Sequence, residues 1–239
     1  MTLLENHEPK ISTLNKNTPK DFFLDLVIYI TVMFLIREVY FSEVGFLTNG
    51  LFWSFTTLIV ASWRMKVRGV TWKGLGLSKP KNIQTTLIAT AVILVSVPIT
   101  LIFFGMIKGH LPFLVSPDVS EVSAVSKFGN LKGNWAAFFS IIFFVWIQSS
   151  LEEMLDRGFL MVWIERLFSS TMLATILAVI IQAMIFGFRH SNDFSERSIT
   201  TGLIGLIMGI AYMVFGRNLW ALILAHCALN TISMVGRVL

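Results

Sequence analysis

The chain has one cysteine in 239 residues, Cys227, so no internal disulfide can form and a secreted disulfide scaffold is excluded. Charge is scarce as well. Only 14% of the residues are Asp, Glu, Lys or Arg, where soluble domains carry roughly a quarter. Charged side chains coat the outside of a soluble fold, so this shortage argues against an ordinary cytosolic enzyme and against a disordered chain. The first twenty residues contain no apolar run, and a cleaved signal peptide is not expected. Apolar surface is abundant: 55% of residues are hydrophobic and the mean hydropathy is +0.74. These values describe a polytopic membrane protein.

A membrane span needs about 20 mostly apolar residues. Six runs qualify: Phe22–Ile36 (marginal, and holding Asp25), Val44–Trp63, Ile83–Ile107, Trp135–Leu151, Phe168–Phe188 and Asn218–Val235. Ser198–Gly216 is a seventh. Gly158–Phe168 is apolar but short, and reads as a half-span, an interfacial helix or the tail of the helix before it. Lipid admits only helices or closed barrels, and these runs lack the alternation of barrel strands. The expected fold is therefore all-α, a polytopic transmembrane helical bundle of seven to eight helices. Pro98 lies inside one span and is expected to kink it. Gly202, Gly205 and Gly209 recur at the spacing of a close helix–helix contact.

The net charge of +5 is not read as nucleic-acid binding, because the basic residues gather between apolar runs. Arg64, Lys66, Arg68, Lys73, Lys79 and Lys81 share one loop with no acid among them, which predicts a cytoplasmic loop. Counting back two spans places the N-terminus in the cytoplasm too. Counting forward places Gly109–Lys132 outside and brings Leu151–Arg157 towards the cytoplasmic half.

Ionisable groups in hydrocarbon cost roughly 2.5–3.5 kcal/mol each on insertion scales, so three clusters stand out. The first, Glu152-Glu153-Met154-Leu155-Asp156-Arg157, continues an uncharged run. Glu153 and Arg157 share a helix face and can pair, while Glu152 points about 100° away, free to face a cavity and act as a general base. The alternative is a charged helix end at the membrane surface. The second is Phe186-Gly187-Phe188-Arg189-His190; His190 is either an interfacial residue or cap, or a group that orients water or binds a metal. The third places His226 and Asn230 one turn apart in the last span. They are either a structural interhelical hydrogen bond or a pair of donors aimed at developing negative charge. At 1.5 Å per residue His226 lies about 12 Å and Asn230 about 18 Å past Asn218, near the midplane. Glu152 and His190 fall at the ends of their runs. For the three clusters to meet, their helices must extend beyond the uncharged segments or the bilayer must thin.

Glu-Glu-x-x-x-Arg, Phe-x-x-x-His and His-x-x-x-Asn, in that order on apolar helices, resemble the CAAX protease and bacteriocin-processing (CPBP) family of intramembrane endopeptidases. Gly158-Phe159-Leu160, Trp72-Lys73-Gly74-Leu75-Gly76-Leu77 and Asn218-Leu219-Trp220-Ala221 are similar to the family's flanking text. The motif region covers about Trp135 to Ile232. The resemblance implies three parts: a polar N-terminal tail at residues 1–20, N-terminal transmembrane helices at 21–134, and a catalytic core at 135–239 enclosing an intramembrane polar cavity. It implies peptide-bond hydrolysis in which Glu152 activates a water also held by His190. His226 and Asn230 stabilise the oxyanion, Arg157 fixes Glu153, and Phe186 packs one turn before His190. Cys227 faces away from His226, so a Cys–His dyad is not expected. Asp156 departs from the family pattern, which has an aromatic or aliphatic residue there. A carboxylate beside Arg157 competes for that arginine, and marks either a harmless surface residue or a retuned or inactive member.

The resemblance favours a mechanism with no metal cofactor. Zinc is the alternative, with Glu152, His190 and His226 as ligands and Glu153 as the base; there is no His-Glu-x-x-His motif. The expected partners are the lipid bilayer and a peptide or protein substrate, lipidated or not, with no nucleic acid. The expected location is a bacterial plasma membrane. Two other functions stand beside the hydrolytic one: a non-catalytic immunity or accessory protein binding a peptide in the same cavity, and a small transporter. The transporter is weaker, because the chain lacks paired broken spans in two similar halves.

Overall fold

The computed structural model describes residues 17–80, 82–110, 128–129 and 131–239. Most of the N-terminal tail, Lys81 of the basic loop and residues 111–127 of the expected external loop lie outside the described residues. Among the described residues every regular element is helical. Helix α1 spans Pro19–Leu35, α2 Gly45–Val67 and α3 Ile83–Ile107. Helix α4 is a single rod, Trp135–Leu167. It is followed by α5 (Met172–Ser191), α6 (Glu196–Val214) and α7 (Leu219–Val238).

Local chemistry sets most of these starts. Asn82, Asn134, Thr171 and Asn218 each accept a backbone N–H in the first turn of α3, α4, α5 and α7. Asn192, left-handed at φ 57°, ends α5 just beyond His190. Helix α3 runs through Pro98 to Ile107.

Among the described residues six helices are long and apolar enough to cross a membrane: α2 to α7, some with their 3-10 turns included. Helix α1, marginal in the sequence, is not among them; it has 17 residues. The larger correction concerns α4. The apolar run ends at Leu151, yet the helix continues to Leu167, and Gly158–Phe168 proves to be mainly its tail. The helix survives its charges because they are paired inside the protein. Arg157 meets Glu153, Asp156 meets Arg189, and Glu165 meets Arg217. Within α4, Met154–Met161 is wound as a wider π-helix, an irregularity frequent at functional sites.

Helix α4 is the axis of the bundle. It packs on α1, α2, α5 and α7, α6 lies along α5, and α3 covers α6 and α7. The core is apolar, but charged and polar side chains are buried with it and large apolar ones face outward. Asp25, Asn49, Arg64, Glu153, Asp156, Arg157, Gln182 and Arg189 are inside. Leu87, Val95, Ile99, Phe103 and Met106 of α3, and Phe139 and Phe143 of α4, are outside. Hydrocarbon as the surrounding solvent requires this arrangement. The small-residue expectation is met where α6 lies on α5. A Cβ on Gly205 would stand 3.0 Å from Phe186 and one on Gly209 3.2 Å from Val179. The tightest position of this contact is Gly187 of α5, whose Cβ would collide with the Ser198 carbonyl.

The lead-in around Trp72 has a structural reason. Trp72 and Leu219 both press on Gly158 of α4; a Cβ there would stand 3.4 Å from the ring and 3.3 Å from the leucine. Gly76, at φ 100°, lies against the backbone of Arg217, and the Leu75 carbonyl accepts the Tyr212 hydroxyl at 2.7 Å. A side chain at Gly76 would meet the Arg217 carbonyl as well as a left-handed backbone.

Candidate active site

Because α4 extends to Leu167, Glu152 and Glu153 stand near its middle rather than at a charged end. That removes the mismatch for Glu152 that its apolar run length suggests, while His190 still stands at the end of α5, one residue before Ser191. Glu153 is wholly buried, and its Oε1 accepts from Arg157 Nη1 at 3.1 Å and from His226 Nδ1 of α7 at 2.7 Å. Arg157 also reaches the Gly205 carbonyl of α6 at 3.4 Å, and its guanidinium lies over the Phe186 ring, 4.4 Å from the centroid. Phe186 packs on His190 with centroids 4.5 Å apart. The Phe186 carbonyl accepts from His190 Nδ1 at 2.7 Å. A carbonyl can only accept, so Nδ1 carries a proton there and the Nε2 lone pair is available in the neutral ring.

Glu152 is held differently. Its Oε1 accepts from Gln148 Nε2 at 3.1 Å, and its Oε2 lies 3.9 Å from His226 Nε2. No guanidinium among the described residues forms an ion pair with it. Gln148 is steadied from α2, where the Ser54 hydroxyl accepts from the same amide at 2.8 Å. A cavity of about 10 Å3 touches Glu152, Arg37, Arg189, Ser54, Thr57 and Trp53, which is room for about one water. The His190 and His226 rings and the Arg189 guanidinium all act electrostatically on Glu152.

Asn230 joins through Ser149, whose hydroxyl accepts from Asn230 Nδ2 at 2.8 Å. One N–H of the amide is thereby used and the other is left. Cys227 turns its thiol to the Trp146 carbonyl, 3.7 Å away. Asp156 is not the surface residue that one sequence-based alternative expects. It is wholly buried, not at a surface, and it pairs with Arg189 rather than competing for Arg157. Gln148, Ser54, Ser149, Arg37 and Arg189 do not stand out in the sequence as site residues. Gln148 had a signal, since it stands one helical turn before Glu152. Arg37 had none.

The zinc alternative requires Glu152, His190 and His226 to converge. Among the described residues no group of three or more His, Cys, Asp or Glu side chains is arranged to hold a metal ion. His226 gives Nδ1 to Glu153 and His190 gives Nδ1 to a backbone carbonyl, so each ring has its Nε2 left for another partner.

A helical bundle with charges inside, apolar side chains outside and a carboxylate–imidazole cluster at its centre defines an integral membrane protein built around an internal polar site. Residues 134–232 match the family model described as type II CAAX prenyl endopeptidase Rce1-like. The matched segment holds all seven motif residues, from Glu152 to Asn230, and its similarity is to a protease-type family. Comparison with curated proteins and with solved structures gave no match.

Proposed function

We propose that the protein is an intramembrane endopeptidase in which Glu152 is the general base for a hydrolytic water. The division of labour between the two glutamates carries this reading. Glu153 is committed to Arg157 and His226 by hydrogen bonds, whereas Glu152 has one amide hydrogen bond and a longer 3.9 Å approach from His226 Nε2, and borders the cavity. Glu152 takes a proton from water, whose other side is held by His190 Nε2. The water oxygen forms a bond to the scissile carbonyl carbon. His226, an imidazolium braced on Glu153, and the second N–H of Asn230 face the developing oxyanion; each such donor is typically worth about 2.7–4 kcal/mol. As the C–N bond breaks, Glu152 returns its proton to the leaving amine, and no acyl-enzyme forms. Arg157 is a positioning residue that orients Glu153 and, through Phe186, the His190 ring.

The substrate in this proposal is a membrane-associated peptide or protein segment, lipidated or not. The prenyl group in the family's description is not carried over to it. The basic residues Arg64, Lys66, Arg68, Lys73 and Lys79 support a cytoplasmic placement of their loop and of the N-terminus, and we place the protein in a bacterial plasma membrane. The test is terminal-peptide mass spectrometry on membranes expressing wild type or Glu152→Gln at equal levels. New peptide termini should appear with wild type alone. Identical termini from both, or a full biological effect retained by Glu152→Ala and His226→Ala, would refute the hydrolytic reading and favour a non-catalytic peptide-binding role.

A further inference from the structure

Three guanidinium groups crowd the site, and each is held by something other than Glu152. Arg157 is paired to Glu153. Arg37, in the turn after α1, donates to the Arg189 carbonyl at 2.6 Å and lies over Trp53 of α2. Burial, then the Arg189 charge, push Arg37 down to about 10, so it is still a cation at neutral pH. Arg189 is gripped at both ends by Asp156, Nη1 to Oδ1 at 3.1 Å and Nη2 to Oδ2 at 2.7 Å.

Asp156 and Glu152 are one turn apart on α4, so they present carboxylates on neighbouring turns of one face. Arg189 borders the Glu152 cavity and acts electrostatically on both acids. A buried guanidinium without its anion is strongly disfavoured and takes the nearest available carboxylate. Glu152 is that carboxylate.

We propose that Asp156 is a positioning residue that holds Arg189 away from Glu152 and thereby keeps Glu152 free to meet water. The bidentate fork suits this task, because it fixes both terminal nitrogens of the guanidinium in one plane. The pair also anchors the residue next to His190, and Arg37 closes the same backbone from α1 and α2. This inference rests on Glu152 being the working carboxylate, but its test does not require turnover.

The probe is dicyclohexylcarbodiimide, an apolar reagent for carboxyl groups inside membranes. It is applied to the full-length protein in detergent, and adduct formation at Glu152 is measured by peptide mass spectrometry. Asp156→Asn should lower the Glu152 labelling rate about tenfold, the factor carried by one unit of proton affinity, because Arg189 moves onto Glu152. Adding Arg189→Met should restore the rate. Arg189→Met alone should leave it at or above wild type, which keeps the test informative if Asp156→Asn does not fold. A pair with only a structural role predicts no dependence of Glu152 labelling on Arg189. Unchanged labelling in Asp156→Asn, or a fall in Arg189→Met, overturns the proposal. Where a cleaved peptide has been mapped, kcat per folded molecule should follow the same pattern, with KM little changed. The predicted labelling pattern without any cleavage by wild type would sink the hydrolytic reading and leave this one standing.

Discussion

Replacing Glu153 by Gln keeps its size and removes its charge. In the folded protein Arg157 and Glu153 both have fully buried side chains, 3.1 Å apart. The neutral amide leaves Arg157 with the Gly205 carbonyl, at 3.4 Å, as its remaining strong acceptor. Breaking a buried pair by removing one member costs about 3–5 kcal/mol, because the remaining charge is stranded in a low-dielectric interior. The His226 hydrogen bond to Glu153 is lost as a charge-assisted bond in the same step, and the two losses are not additive. Glu152→Gln should be far milder, about 1 kcal/mol, since Glu152 loses no arginine and keeps an amide-to-amide bond with Gln148. Thermal or detergent-driven unfolding followed by the fluorescence of the 7 tryptophans measures both. Glu153→Leu with Arg157→Met completes a double-mutant cycle. The double variant should be more stable than the sum of the two single changes predicts, by about 2 kcal/mol or more. A Glu153→Gln protein within about 1 kcal/mol of wild type, or strict additivity in the cycle, would refute the assignment of Glu153 as the structural partner and Glu152 as the free one.

Two further outcomes follow from packing and charge elsewhere. Asp25 is wholly buried and receives Arg64, Arg68 and the Trp163 indole at 2.6–3.0 Å, joining α1, α2 and α4. Asp25→Ala should destabilise by about 3 kcal/mol. Asp21→Ala, at the exposed end of the same cluster, should have a much smaller effect; equal losses would rule out the buried junction. On the α5–α6 contact, Gly187→Ala should cost about 1–3 kcal/mol or more, because its Cβ meets the unyielding backbone of Ser198 and Gly202. Gly202→Ala meets its nearest atom at 3.4 Å and gains helix propensity, so its melting temperature should hold or rise.

Much of the site was legible because its signals are local. A carboxylate, an imidazole or an amide inside an apolar run is anomalous wherever the run folds. The spacing of Glu153 and Arg157, or of His226 and Asn230, puts each pair on one face of any helix. The ends of the elements were less legible. Leu151 closes the uncharged run of α4, but internal pairing of Glu153, Asp156, Arg157 and Glu165 removes the reason for the helix to stop. The π-helical turn at Met154–Met161 left no mark in the pattern of apolar residues.

Membrane residence, helical class and the identities of the anomalous polar groups were decided by the order of the amino acids, through transfer free energies and helical periodicity. Helical spacing already pairs Glu153 with Arg157 and turns Glu152 aside; which other groups surround each glutamate was chosen by tertiary structure. That choice depends on partners brought from afar: His226 from 73 positions away, Arg189 from 33 positions beyond Asp156, and Arg37 from 152 positions before the carbonyl it caps. A carboxylate's working state is set by the charges around it in space, and only the packed bundle supplies those.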